Sequence, residues 1–354
     1  MKQATIVARK ARQQLIKGLC IDEERKPLCQ LVARPNNWSR IKNNDNLVRT
    51  NFLIHNKYYN LARYKFQLPM ITESQFRDEL QILIANAIRE DVGDGDHSSL
   101  ACIPADAQGK AKLLVKDSGI IAGVDFAKMI FEYVDPTMEV ETFIEDGAPV
   151  KFGDVVFHVS GSSQSILKAE RLVLNSMQRM SAIATKTNSY VQLLAGTNTK
   201  ILDTRKTTPS FRVAEKWAVK IGGGENHRFA LYDMVMLKDN HIDFAGGIGL
   251  AIAKTKEYLK AENRDLKIIV EARDLDEVKE IVASGGVYRI LLDNFDYNMT
   301  REAVKFIGDQ CLTESSGNIN EETIRQYAEC GVNYISSGAL THSIYNMDLS
   351  LKAI

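Results

Sequence analysis

The chain has 354 residues, 45% hydrophobic and 25% charged, with 45 basic and 45 acidic side chains. No apolar run approaches the roughly 18 residues that span a bilayer, and no apolar stretch followed by a cleavage site marks a secretory leader. The cysteines, Cys20, Cys29, Cys102, Cys311 and Cys330, are odd in number, far apart and without a CxxC pair; this argues against a disulfide framework and a structural zinc site, and fits a reducing, cytoplasmic setting.

The neutral total hides an asymmetry. Residues 1–69 carry 14 Lys and Arg against 4 Asp and Glu, a net of +10, whereas residues 70–354 carry 31 against 41, a net of −10. Residues 1–69 show neither strand nor helix periodicity and read as a basic, poorly ordered extension. Three explanations stay open: a solvated tail or an extension upstream of a start at Met70, a nucleic-acid-binding segment, or an organelle transit peptide whose first acid is Asp22.

Ordered structure is expected from Thr72. A helix is predicted over 73–89, where Phe76, Leu80, Leu83, Ile84 and Ala87 recur at helical spacing. Asp91 to Ser99 reads as a turn containing Gly93 and Gly95. Strands are predicted at 111–116, 119–124, 140–143 and 155–159, with turns at Asp146-Gly147 and Gly153-Asp154, which makes a small α+β domain. From Ser165 the period becomes helical: Ile166, Ala169, Val173, Met177, Met180, Ala184, Thr187, Val191 and Leu194 form the core-facing stripe of one long helix or two. After Gly196, apolar runs at 200–203, 234–237, 267–270, 289–292, 312–313 and 334–335 alternate with amphipathic helices at 211–220, 248–259, 275–283, 301–307 and 321–329. Repeated strand–helix units imply parallel strands flanked by helices, in an α/β barrel or a doubly wound sheet.

The polar residues at the ends of these runs favour the barrel. Arg205, Lys238, Glu271, Asp293, Ser316 and Gly338 lie at successive strand ends, at intervals of 33, 33, 22, 23 and 22 residues. One polar residue after a strand is ordinarily the solvated start of a loop; six in register point to a shared site at a barrel mouth. Six units rather than eight imply an incomplete (β/α) barrel.

The first half of this mouth is cationic. Arg205 and Lys206 are adjacent, a Gly222–Gly224 loop leads into Asn226, His227 and Arg228, and Lys238 precedes Asp239, Asn240 and His241. Such cations suit a ligand with several negative charges. Glu271 and Asp293 suit ribose hydroxyls, or a magnesium ion that also holds substrate phosphates. The turns Ser315-Ser316-Gly317-Asn318 and Ser336-Ser337-Gly338 offer backbone N–H groups to a phosphate. Polyanion, ribose with metal, then phosphate describes phosphoribosyl transfer through an oxocarbenium-like state. No Ser–His–Asp set, paired Cys–His or P-loop signature stands out.

The segments LDTRKTTP (202–209), GGGENHR (222–228), KDNHI (238–242), Val270–Glu271, LLDNF (291–295), Ser316–Asn318 and SSGALTHS (336–343) resemble quinolinate phosphoribosyltransferases in order and spacing, over about residues 72–354. The resemblance implies an α/β fold: an N-terminal α+β sandwich-like domain (70–172, with 342–354 packing on it) and an incomplete barrel (173–341). It implies conversion of quinolinate and phosphoribosyl pyrophosphate, with Mg2+, to nicotinate mononucleotide, pyrophosphate and CO2 in NAD biosynthesis. By resemblance Arg205, His227, Arg228 and Lys238 hold the two quinolinate carboxylates, and Lys206 meets quinolinate or the pyrophosphate. Glu271 and Asp293 serve ribose and metal, and Ser316, Gly317, Asn318, Ser337 and Gly338 hold the 5′-phosphate. Arg171, by itself an ordinary surface charge, resembles an arginine that the family supplies from a neighbouring subunit, which implies a homodimer or higher homo-oligomer. His97-Ser98 and the extension depart from the pattern. A related enzyme for another ring acid, or a non-catalytic phosphoribosyl sensor, is disfavoured by the intact cationic set.

Overall fold

The computed structural model describes Leu68 and residues 71–354; apart from Leu68, the basic extension lies outside the described residues. Helix α1 (Glu73–Val92) starts on a capping box, with Gln75 N donating to Thr72 Oγ1 at 3.2 Å and Thr72 N to Gln75 Oε1 at 2.9 Å. Two donors that a helix start leaves orphaned are thereby satisfied. The turn predicted after it is cut short by α2 (His97–Cys102), whose N-cap Asp96 accepts from Ser99 N at 3.2 Å.

Strands β1 (Gln108–Val115), β3 (Glu139–Thr142) and β5 (Val155–Ser162) belong to a four-stranded antiparallel sheet. Its order is β12-β1-β5-β3, because the C-terminal strand β12 (Leu349–Ala353) returns to pair with β1, Leu113 opposite Leu351. The strand predicted over 119–124 is only the two-residue β2 (Gly119–Ile120), paired with β4 (Pro149–Val150). Val124 instead begins α3 (Val124–Val134). Nothing local caps that helix: its N-cap is Gly123, in the left-handed region at φ 96°. The cap is the Asp146 carboxylate, 22 residues away, which accepts from Val124 N at 2.8 Å. Phe131 of α3 packs edge-on against Phe157 of β5, centroids 5.9 Å apart.

The helical stripe proves to be one helix, α4 (Ser163–Leu193), 31 residues long. Beyond it the chain alternates β6 (Lys200–Leu202), α5 (Arg212–Ile221), β7 (Val235–Leu237), α6 (Asp239–Ala245), α7 (Ile248–Ala261), β8 (Ile268–Ala272), α8 (Leu275–Ser284), β9 (Arg289–Asp293), α9 (Tyr297–Ile307), β10 (Leu312–Ser316), α10 (Ile324–Glu329), β11 (Tyr334–Ser336) and α11 (Ala339–His342). The predicted strands all form, within a few residues, as one parallel sheet of order β6-β11-β10-β9-β8-β7. Among the described residues β6 and β7 do not pair, so the barrel is open as expected. Outside β6 a single parallel bridge joins Leu202 to Glu225, with Glu225 N donating to Ile201 O at 2.9 Å and Asp203 N to Glu225 O at 3.2 Å. That rudimentary strand delivers Asn226–Arg228 to the mouth.

Trp217 of α5 ties the two parts together: its ring meets Phe76 of α1 at 5.3 Å and Phe126 of α3 at 6.3 Å. Among the described residues no helix is long and apolar enough to cross a membrane.

The Gly222–Gly224 loop is a packing device rather than a ligand cradle. A Cβ on Gly222 would stand 2.5 Å from Ala184 O of α4, and one on Gly224 would meet Thr187 Cγ2 at 2.7 Å. The glycines let α4 lie directly against the loop that carries His227. Gly222→Ala is expected to lower stability by about 1–3 kcal/mol through overpacking. In urea unfolding its midpoint falls with an unchanged m-value; an unaltered midpoint would show that α4 yields freely.

Candidate active site

The C-terminal ends of the parallel strands open into a cleft of about 750 Å³. Arg205, Lys206, His227, Arg228, Lys238, Glu271, Asp293, Ser316, Gly317, Asn318, Ser337 and Gly338 all line it. Arg171 does not; it is exposed on α4. Strand register explains the convergence. Glu271 is paired with Leu291, Leu291 with Glu314, and Ser316 with Asp293. Residues two apart share a face, so Arg289, Leu291 and Asp293 of β9, and Glu314 and Ser316 of β10, stack in layers inside the sheet.

The site is built on Asp203, which lies just beyond β6 and is fully buried. Its carboxylate accepts from Lys216 Nζ at 2.5 Å, Asn226 Nδ2 at 2.6 Å and the His227 backbone N at 2.8 Å. Lys216 Nζ in turn donates to His227 O at 3.1 Å. Burial pushes the Lys216 ammonium below its ordinary pKa, while Asp203 acts to keep it charged. One buried ion pair thus holds the backbone of the Asn226–Arg228 segment.

The Arg205–Lys206 loop is held from two sides. Thr208 N donates to Glu215 Oε2 at 3.1 Å, and Thr341 Oγ1 donates to Lys206 O at 2.9 Å. Arg179 of α4 connects both anchors, reaching Glu215 Oε1 at 2.6 Å and Thr341 O at 2.9 Å.

Arg205, Lys206 and Arg228 have no described carboxylate within ion-pair distance. Arg205 Nε is buried and has no hydrogen-bond partner among the described residues. Arg228 Nη1 is held by Met234 O at 3.1 Å, and its guanidinium pKa is pushed down by burial and then by the like charge of Arg205. An anion between them would relieve that repulsion. Lys238 differs, because it pairs with Glu271 at 2.9 Å.

On the far wall the backbone turns tightly. Gly317 has φ 100°, and a Cβ there would meet Asn294 N at 3.0 Å as well as that residue's side chain. Asn294 N donates to Ser316 O at 2.9 Å, and Asn294 Nδ2 to Asp293 Oδ2 at 2.8 Å. Gly338 lies between the Lys206 stem and the His342 ring, where a Cβ would stand 2.8 Å from Lys206 Cδ. Only glycine lets these side chains close around the turn.

Sequence reasoning missed Glu314, fully buried on the floor of the cleft. Its Oε2 lies 3.4 Å from His227 Nε2 and 3.1 Å from Arg289 Nε. The signal was present: a glutamate inside one parallel strand and an arginine opening its neighbour are out of place in a buried sheet unless they meet. Asp203, Lys216, Arg179 and Glu215 were also missed as supports, because their partners are distant in sequence.

Asp203→Asn is expected to lower stability by about 3–5 kcal/mol, since Lys216 would be left buried without its counter-charge. Adding Lys216→Met should recover much of that loss in denaturant unfolding; an equal loss in the double variant would refute the ion-pair explanation.

Two family models match the chain in order: the N-terminal domain of quinolinate phosphoribosyl transferase over residues 96–181 and its C-terminal domain over residues 183–352. The carboxylating, chloroplastic nicotinate-nucleotide pyrophosphorylase of Arabidopsis thaliana is 47% identical over 289 residues, 77% of this chain and 82% of that protein. The decarboxylating, mitochondrial quinolinate phosphoribosyltransferase 2b of Nicotiana tabacum is 44% identical over 289 residues, with the same 77% and 82% coverage. The crystal structure of NadC from Streptococcus pyogenes superimposes with a TM-score of 0.72 at 37% identity, over 80% of this chain and 99% of that one. The nicotinate-nucleotide pyrophosphorylase of Francisella tularensis does so at 0.74 and 34%, over 82% and 100%. With both domains matched in sequence and the open-barrel architecture shared, the chain belongs to the quinolinate phosphoribosyltransferase family.

Proposed function

We propose that this chain transfers the phosphoribosyl group of phosphoribosyl pyrophosphate to quinolinate with decarboxylation, yielding nicotinate mononucleotide, pyrophosphate and CO2 for NAD biosynthesis. The observation that carries this reading is the set of cations without carboxylate partners among the described residues, Arg205, Lys206 and Arg228, facing Glu271, Asp293 and two glycine-serine turns across one cleft. Arg205, Arg228 and Lys238 hold the two carboxylates of the acceptor, and His227 stands behind Arg228, its Nδ1 accepting the Arg228 N–H at 2.7 Å. Lys206 meets the acceptor or the departing pyrophosphate. Ser316, Gly317, Asn318, Ser337 and Gly338 take the 5′-phosphate. As the ring nitrogen bonds to ribose C1, the bond from C1 to pyrophosphate breaks. The resulting pyridinium then takes up the electron pair left by departing CO2, and a proton replaces the carboxylate. What the protein must supply is alignment by fixed charges.

Magnesium belongs to this reading. Glu271 and Asp293 lie on one inner face of adjacent strands, while the described residues hold no cluster of three metal-ligating side chains. That fits an ion held by one or two carboxylates, water and the substrate's own phosphate oxygens; it would offset the charge of the leaving pyrophosphate. Arg171, exposed and outside the cleft, fits a homodimer in which the partner subunit's Arg171 completes the acceptor site. The separated cysteines fit a cytoplasmic location. The names of the plant relatives are chloroplastic and mitochondrial, and imaging a tagged chain with and without residues 1–69 separates these cases.

The decisive assay offers quinolinate and nicotinate in parallel with phosphoribosyl pyrophosphate and Mg2+. Nicotinate mononucleotide and CO2 should form from quinolinate alone, and a chelator should stop the reaction. Arg205→Ala should cost at least about 100-fold in kcat/KM, the price of an uncompensated charged contact of about 3 kcal/mol. Arg171→Ala and Lys206→Ala, each inactive, should regain activity when mixed and reassembled. Turnover of nicotinate would refute the two-carboxylate assignment, and mixtures that stay inactive would refute the shared site.

A further inference from the structure

The floor of the cleft carries a group that this reading does not use. Glu314 stands on β10 with no exposed surface, beneath a mouth suited to anions. A negative charge in that place opposes an anionic ligand, so its neighbours must account for it. Its Oε2 faces His227 Nε2 at 3.4 Å and Arg289 Nε at 3.1 Å. His227 Nδ1 accepts the Arg228 N–H at 2.7 Å and therefore carries no proton. The ring hydrogen is then on Nε2, which is buried, faces Glu314, and forms no completed hydrogen bond within the described residues.

We propose that Glu314 is a positioning residue for the phosphoribosyl acceptor: its carboxylate holds His227 in the Nε2–H form, which leaves Nδ1 to accept the Arg228 N–H and so fixes the backbone that presents Arg228 to the pyridine acid. This rests on the assignment of quinolinate as the acceptor. Glu314 is able to act in this way because Arg289, stacked on the Tyr334 ring at 4.8 Å, supplies its counter-charge. Burial pushes the Glu314 carboxyl up, but His227, Arg289 and the Ser336 hydroxyl outweigh it and hold the group at about 2. The carboxylate is thus anionic throughout the working range. The other charged groups around His227 are Lys216 of α5 on its carbonyl, Asp203 on its backbone N–H, and Arg205 and Arg228 at the mouth. Asp203 is already occupied by Lys216 and Asn226, which leaves Glu314 as the anion directed at the ring.

The test compares kcat and KM for both substrates in the wild type, Glu314→Gln and His227→Gln. KM for quinolinate, not that for phosphoribosyl pyrophosphate, should rise several-fold in both variants. An unchanged KM for quinolinate in Glu314→Gln would overturn the proposal. Because Glu314→Gln removes a counter-charge from Arg289 and risks misfolding, the folded wild type gives a second readout. With 15N-labelled histidine, the His227 signal, identified by its loss in His227→Gln among six histidines, should show the Nε2–H tautomer at high pH; an Nδ1–H tautomer would overturn the proposal. A wild type that ignores quinolinate would sink the substrate assignment, and the tautomer would still decide the role of Glu314.

Discussion

The site depends on one buried ion pair. Asp203 and Lys216 are both out of contact with water, and a charge in such a place is tolerable only when paired and hydrogen-bonded. The pair meets that condition by taking in Asn226 and the backbone of His227, so the segment that bears His227 and Arg228 is fixed from below rather than from within. The neighbouring Arg205–Lys206 loop obeys the same logic through Glu215, Arg179 and Thr341. Cations that repel one another are brought to one mouth because the backbone beneath them is anchored by charges facing the other way.

This arrangement divides the electrostatics by depth. Inside the sheet, Glu314, Arg289, Asp203 and Lys216 find partners within the protein. At the mouth, Arg205, Lys206 and Arg228 find no carboxylate partner among the described residues. A rigid, water-poor floor with compensated charge and a rim without compensation makes an anion the missing component, and the fixed dipoles need little reorganisation when it arrives.

Most of the fold was legible in the sequence, and the reason is periodicity. Each parallel strand is a short apolar run bounded by helical stripes, and the polar residue ending each run, from Arg205 to Gly338, marks the mouth without any three-dimensional information. Where the reading failed, the stabilising partner was remote. Helix α3 resembles the end of a strand because its capping carboxylate, Asp146, comes later in the chain. The two-residue strand at Gly119–Ile120 has too few residues to show a period. The supports of the site were invisible for the same reason: Arg179 and Thr341 look like ordinary helix residues until the turn at Lys206 is seen between them. Glu314 was the exception, a charge inside a buried strand that could have been questioned from the sequence alone.

The return of β12 to the edge of β1 has a consequence for how the molecule is made. The first sheet receives its last strand from Leu349–Ala353, after every strand of the barrel has emerged. On the ribosome the N-terminal domain therefore waits with the β1 edge unpaired, a surface on which strands of other chains can add. Completion of that domain reports that the whole barrel has been synthesised, so a product cut short within the barrel also lacks the seal on the domain that preceded it.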